Sequence, residues 1–351
     1  MAKYLDYAGL QRYNDIVNRK IESILPEATA SGNPISIDNA SGFNAKSAKV
    51  TMLPIQSGSG DPSPTNIRPI SGRDSVGLTR MGKNLFDEIY TDIGTIVQYK
   101  QIKVGNGTFT FSTDCPKNSD NASNLFALSG YATSGGSTAG NGIWEGQTRT
   151  VTTNDGYVTI AYRQTIGNNP SNYHTQIELG SSATAYEPYQ GETHTAIFPS
   201  TVYGGEYEFV EGGLMDNYNI VSYDGTENWT EHSSGRFYFA SRPSDLSTED
   251  TTKFVSNQRT YRDATNTYAP YYSYGSAGIY CNKLSANQTL AEFKADLAVT
   301  PLQVCYPKTT PTTTTLTPQS ISLNKGDNVI TTDGDNAEVK YSVSLDSLLP
   351  A

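Results

Sequence analysis

The side chains able to do chemistry are few, and their spacing argues against catalysis. His174, His194 and His232 share neither H-x-x-x-H nor HExxH spacing, so a metal site built from them would rest on tertiary geometry alone. Cys115, Cys281 and Cys305 form no C-x-x-C pair and none lies beside a histidine, so three ordinary reduced thiols are expected. No G-x-S-x-G nucleophile elbow exists. Gly77–Asn84 (GLTRMGKN) matches the phosphate-cradling G-x-x-x-x-G-K, but Asn84 stands where Ser or Thr must ligand the metal. No buried strand precedes it and no helix follows. Asp333-Gly334-Asp335 lacks the Glu of a calcium loop's twelfth position and reads as a turn. Glu178 and Glu187 flank a strand end. A glycosidase would need two such carboxylates facing across a cleft, which sequence leaves open. The expectation is a chain without catalytic residues, cofactor or metal.

Recognition remains. Trp144 sits in Asn141-Gly-Ile-Trp-Glu-Gly146, within Ser129–Gln147, a stretch too long and glycine-rich for a simple turn. An aromatic ring stacks on the apolar C–H face of a sugar as it does on other apolar surface. Tyr131 and Tyr173 would widen such a platform. The competing account is three rings that plug one end of a sandwich. Trp229 opens a strand and is expected in the core.

The elements that must position these residues are mostly strands. Only 17% of the 351 residues are charged, against roughly 25% in ordinary soluble proteins, while glycine and tyrosine number 31 and 24. That profile suits an all-β chain of two or three domains with many turns. The net charge of −10 argues against nucleic acid or an anionic membrane as main partner. No apolar run approaches the roughly 20 residues of a membrane span, and the N-terminus has no signal-peptide core.

One substantial helix is expected, Tyr4–Leu25, capped by Asp6 and ended by Pro26. Leu10, Val17 and Ile24 lie seven apart, and Tyr13 and Ile21 widen the stripe. It either packs on its own domain or serves as a docking or trimerising helix. Glu27–Phe43 reads as a linker and Lys46–Ile55 as a strand. Asn106-Gly107 and Asp155-Gly156 predict hairpins that put Phe109 and Phe111, then Val158, Ile160 and Tyr162, on buried faces. Further strands are expected at Thr195–Phe198, Glu206–Val210, Arg236–Ala240 and Leu302–Tyr306, with turns at Gly204-Gly205 and Gly212-Gly213. Tyr268–Tyr280 reads as sheet or aromatic surface, Leu290–Leu297 as a short helix, and Lys308–Pro318 as a linker or edge segment. Asn328–Thr331 and Glu338–Ser344 predict a terminal hairpin around Asp333–Asn336.

Thr175–Gly191 (TQIELGSSATAYEPYQG) begins with a strand of period 2, which must end before Pro188. It resembles the closing segment of the carbohydrate-binding-module-type jelly rolls in tail proteins of bacteriophages and prophages. Gly82–Asp87 (GKNLFD) resembles the opening of that unit. Gly58–Gly72, Val202–Gly205, Tyr223–Trp229 and Leu316–Leu345 resemble pieces of a family of Gram-positive phage tail proteins. The resemblance implies a virion protein, made in the host bacterial cytoplasm and assembled with other virion proteins. It would be a tail fibre, tail tip or baseplate component that binds host cell-surface glycan. A head fibre or capsid decoration protein, a glycan depolymerase and a purely structural tail spacer are the alternatives.

The organisation expected is mainly β, an N-terminal helix followed by a β-domain with an inserted β-sandwich (jelly roll). Residues 1–26 form an oligomerisation or docking helix, and 27–83 a linker and the first half of the β-domain. Residues 84–190 form the jelly roll, and 191–351 a C-terminal β-domain with a short helix and a terminal hairpin. A homotrimer is expected, with no nucleic acid partner and no membrane insertion.

Overall fold

In the computed structural model, residues 7–39, 42–57, 65, 67–87, 98–117, 124–132, 142–162, 172–232, 235–262 and 268–343 are described. The chain is mainly β, with several antiparallel sheets after a short N-terminal helix.

Ile35 and Ile37 alternate with Ser36 and Asp38, and burial of the Ile35–Asn39 strand follows the same period. This strand pairs with Gly326–Thr332, and its neighbour Glu27–Gly32 pairs with Asn336–Ser342. The segment expected as a linker is therefore two strands. Its small polar residues conceal it, because Glu27–Gly32 is only half-buried on its better face. The two strands belong to different sheets that face each other. One sheet has seven strands, ordered Glu27–Gly32, Asn336–Ser342, Ala45–Met52, Gly205–Glu208, Gly213–Tyr223, Leu302–Thr315 and Val255–Ser256. The other runs Gly191–Val202, Arg73–Met81, Gly326–Thr332, Ile35–Asn39. Val50, Tyr207 and Val339 from the first meet Ile37, Leu78 and Ile330 from the second in one core.

Strand Arg73–Met81 pairs with Gly191–Val202 from Met81↔Gly191 onward. The chain thus leaves this sheet after Met81 and returns beside the point of departure. Between them lies a second sandwich, in which Gly142–Ile143, Leu125–Ser129, Tyr157–Tyr162 and Gln98–Lys103 form one sheet. Thr148–Thr153, Gly107–Thr113 and Thr175–Leu179 form the other. Phe109, Phe111, Val158, Ile160 and Ile177 fill the space between them, joined by Met81 and Val329 of the outer domain.

The turns at Asn106-Gly107 and Asp155-Gly156 are sharp, but neither makes a hairpin. Gln98–Lys103 and Gly107–Thr113 lie in opposite sheets, as do Thr148–Thr153 and Tyr157–Tyr162. Gly105 and Gly156 both have φ +77°, and the N–H groups of Val104 and Gly105 donate to the Gly156 carbonyl. The two reversals are stacked arches that carry the chain across the core. Asp333–Asp335 is a third, linking Gly326–Thr332 to Asn336–Ser342 across the outer sandwich, so no terminal hairpin forms. Asn33 ties two of these reversals together, since its side chain bonds Thr332 N–H and C=O and its carbonyl accepts from Asn106 N–H. Gly212-Gly213 does close a hairpin, with Glu208 opposite Gly213.

The tyrosine-rich stretch contributes strands Tyr271–Tyr274 and Ile279–Asn282 to a five-stranded sheet covered by helix Leu290–Val299. Trp229, Phe237, Tyr272, Phe293 and Leu297 form its core, and Thr289 closes a capping box with Glu292. Lys308–Thr315 continues strand Leu302–Thr315 rather than forming a linker. Pro307 lies beside a register shift in the pairing with Gly213–Tyr223, where a missing N–H is tolerated, and its carbonyl accepts from Ser247 N–H. The helix spans Tyr7–Ile24; Asp6 and the other residues before Tyr7 lie outside the described set. Leu10 and Tyr13 are exposed, as is Ile16, and Val17 is half-buried. The side chains of Ile21 and Ile24 lie outside the described residues.

Candidate functional site

The two segments that carry the family resemblance meet at one clasp. Asn84 is fully buried, and its amide nitrogen donates to the carbonyls of Thr175 and Glu187 at 3.3 and 3.1 Å. Its Oδ1 accepts from Phe86 N–H and Ile177 N–H at 3.0 and 3.2 Å. Leu85 N–H adds a bond to Ile177 C=O, and Gly82 N–H one to Gln190 C=O. Asn84 is thus committed to the backbone, and Lys83 donates to Ala185 C=O and to Glu187 Oε1, both at 3.1 Å. The near-match to a phosphate loop is a structural hinge-pin.

The same folding disposes of the carboxylates singled out by sequence. Residues 180–187 turn back over the outer face of strand Thr175–Leu179. Glu178 accepts from Thr184 N–H at 2.9 Å and from its hydroxyl at 2.5 Å. Gln176 accepts from Glu187 N–H at 2.7 Å. Glu178 and Glu187 are bound into the return loop and do not face each other across a cleft.

Trp144, Tyr131 and Tyr173 do not form one platform. Ile143 lies opposite Leu125, which places Trp144 beside Asn124, whereas Tyr131 follows the other end of strand Leu125–Ser129. The five residues of strand Leu125–Ser129, about 17 Å long, lie between the two levels. Tyr131 is exposed and meets Tyr157 edge-on at 5.2 Å. Tyr173 is half-buried against the sandwich core. Trp144 is half-buried too, and Lys117 Nζ stands 4.1 Å from its ring centre, covering one face of the indole. Residues 133–141 of the glycine-rich loop lie outside the described set.

An open cleft of about 270 Å³ lies next to Trp144 and Tyr173, lined by Ser112, Asp114, Glu145, His174, Gln176 and Tyr186 among others. It sits at the end of strand Gly107–Thr113 away from the Gly105-Asn106 arch, about 20 Å along. His174 and Tyr186 are exposed and stack with ring centres 4.3 Å apart and planes 20° from parallel. Asp114 Oδ1 accepts the His174 N–H at 2.7 Å, and Asp114 N–H donates to His174 C=O at 3.2 Å. Glu145 is anchored through its N–H to Cys115 C=O. Sequence reasoning missed this pairing because His174 and Tyr186 stand twelve residues apart; the return loop brings them together.

No protein-family model, curated protein or solved structure matches the chain.

The remaining reactive groups are dispersed. His194 is buried, with Nε2 3.5 Å from Glu192 Oε1, and His232 meets the Tyr280 ring edge-on at 5.4 Å. Among the described residues no group of three His, Cys, Asp or Glu is placed to hold a metal ion. The three cysteines are free and buried, and burial pushes Cys115 and Cys281 up to about 11, which disfavours the reactive thiolate. Among the described residues no helix is long and apolar enough to cross a membrane.

Proposed function

We propose that this chain is a bacteriophage virion protein, a component of the tail fibre, tail tip or baseplate that holds host-surface saccharide without cleaving it. The clasp carries the reading. The segments resembling the opening and closing of a phage-tail carbohydrate module meet through Asn84, and the sandwich they enclose bears an open cleft with stacked rings. The stripe Leu10, Tyr13, Val17, Ile21 and Ile24 supplies a seam for three copies or for docking on another virion protein. Such a site is weak alone, on the order of millimolar, and repetition in a particle raises avidity by about 10²–10⁴-fold. The test is binding of labelled chain to host cells before and after periodate oxidation of their surface glycan. Binding is expected to vanish with oxidation, and immunogold to mark the tail. Binding indifferent to periodate would remove the glycan, and label on the capsid would favour a head fibre.

One observation favours a second reading. Asp114 and Glu145 line a single cleft, and a glycan-cleaving enzyme needs two carboxyls roughly 5–10 Å apart in a groove. Incubation with host wall polysaccharide is expected to release no reducing ends. Release that disappears in Glu145→Gln would make the chain a depolymerase.

A further inference from the structure

The cleft's lining combines aromatic and acidic groups, and the combination selects among saccharides. Part of it is aromatic. Tyr186 is 37% exposed and stacked on His174, which presents a flat apolar surface supported from behind. The C–H face of a pyranose packs on such a ring. The lining also carries Asp114 and Glu145, and no lysine or arginine is among the described residues that line the cleft. Asp114 is held in place by its bond from His174 N–H, while no hydrogen bond or ion pair among the described residues engages the Glu145 carboxylate. A volume of about 270 Å³ lies below the roughly 300–1,000 Å³ of drug-sized pockets, so it suits one sugar ring rather than a length of chain.

A sugar bearing carboxylate or phosphate would bring like charge against this rim, within a chain of net charge −10. An ammonium group would find two carboxylate neighbours and form charge-assisted hydrogen bonds with them. The geometry points to a terminal amino sugar with a free ammonium group as the ligand of this cleft. Its ring lies against Tyr186 and its nitrogen is directed to Asp114 and Glu145. The inference rests on the saccharide-binding reading above and specifies the ligand of that site.

The test titrates the full chain with the methyl glycosides of glucosamine, glucose and glucuronic acid, followed by saturation-transfer NMR and calorimetry. Glucosamine should bind about fivefold tighter than glucose, as one exposed ion pair allows, and glucuronate should not bind. The preference should shrink toward unity in about 1 M salt, where the screening length is near 3 Å. Glu145→Gln should shrink the ratio of glucosamine to glucose affinity toward unity. Tyr186→Ala should weaken every sugar tenfold or more. Both residues are exposed, so both variants should melt with the parent protein. Equal affinity for glucose and glucosamine, or tighter binding of glucuronate, would overturn the amino-sugar assignment and leave saccharide binding standing. Sugar binding unchanged by Tyr186→Ala would overturn the cleft as the site. Failure of all three sugars to bind would overturn both the assignment and the reading beneath it.

Discussion

Two aromatic regions of this chain look alike in composition and end in opposite environments. In the tyrosine-rich sheet, Tyr272 and Tyr274 point inward under helix Leu290–Val299, and Tyr274 shares a 3.0 Å hydrogen bond with Tyr223. Burial pushes the hydroxyls of Tyr272 and Tyr274 well above the ordinary tyrosine value and Tyr223 up to about 12. At the sandwich rim, His174 stacks with Tyr186 of the return loop and both stay exposed. Aromatic density therefore does not mark a ligand surface here. The layer that covers a ring decides whether it is core or contact.

The sharpest way to break this comparison is to truncate the two tryptophans. Trp229 is buried against Tyr223, Phe239 and Phe293, and its indole N–H donates to Glu227 at 2.9 Å. Trp229→Ala should cost about 3–5 kcal/mol in urea unfolding and melt the C-terminal unit first. Alkaline titration comes next. A tyrosine whose folded value is raised adds stability that is complete below its unfolded value near 10 and is lost as pH climbs to the folded one. For Tyr223 the loss between pH 10 and about 12 is on the order of 3 kcal/mol, so stability should be level up to roughly pH 9.5 and fall beyond it. After the exposed tyrosines have ionised near pH 10, a second rise in tyrosinate absorbance should accompany unfolding, as the buried rings are released. Asn84→Ala should cost about 1–3 kcal/mol by orphaning the N–H groups of Phe86 and Ile177, and the loss should appear in the inserted sandwich. The smallest stability effect should come from Trp144→Ala, under about 1 kcal/mol, because the ring is half-buried and faces a lysine. It should also weaken saccharide binding less than Tyr186→Ala does. The reverse ranking would return the site to the glycine-rich loop.

Strand positions were legible where alternation was strong, as at Phe109 and Phe111 or Val158 and Ile160, all fully buried. The short helix Leu290–Val299 and the core role of Trp229 were legible for the same kind of reason. Glu27–Gly32 was not, because small polar residues carry little pattern. The candidate site was legible only in part. Trp144, Tyr173 and the closing motif with Tyr186 were all visible as residues, but their mutual placement was not.

What the sequence determined by itself is local. Period-2 patterns specify which residues face a core, and Asn-Gly or Asp-Gly specifies a tight reversal through a positive φ. A hairpin and an arch both satisfy that reversal, so the choice between them fell to the tertiary structure. Pairing across the core places Phe109 and Val158 in facing sheets, a gain of buried area that a lone hairpin cannot provide. The same applies to the charged groups. Sequence supplies Glu178 and Asp114 as equivalent carboxylates. Only the return of residues 180–187 over strand Thr175–Leu179 commits Glu178 to Thr184, while Asp114, past the end of Gly107–Thr113, lines an open cleft. A buried polar group must find a partner and an exposed one need not, and burial is settled by the whole chain.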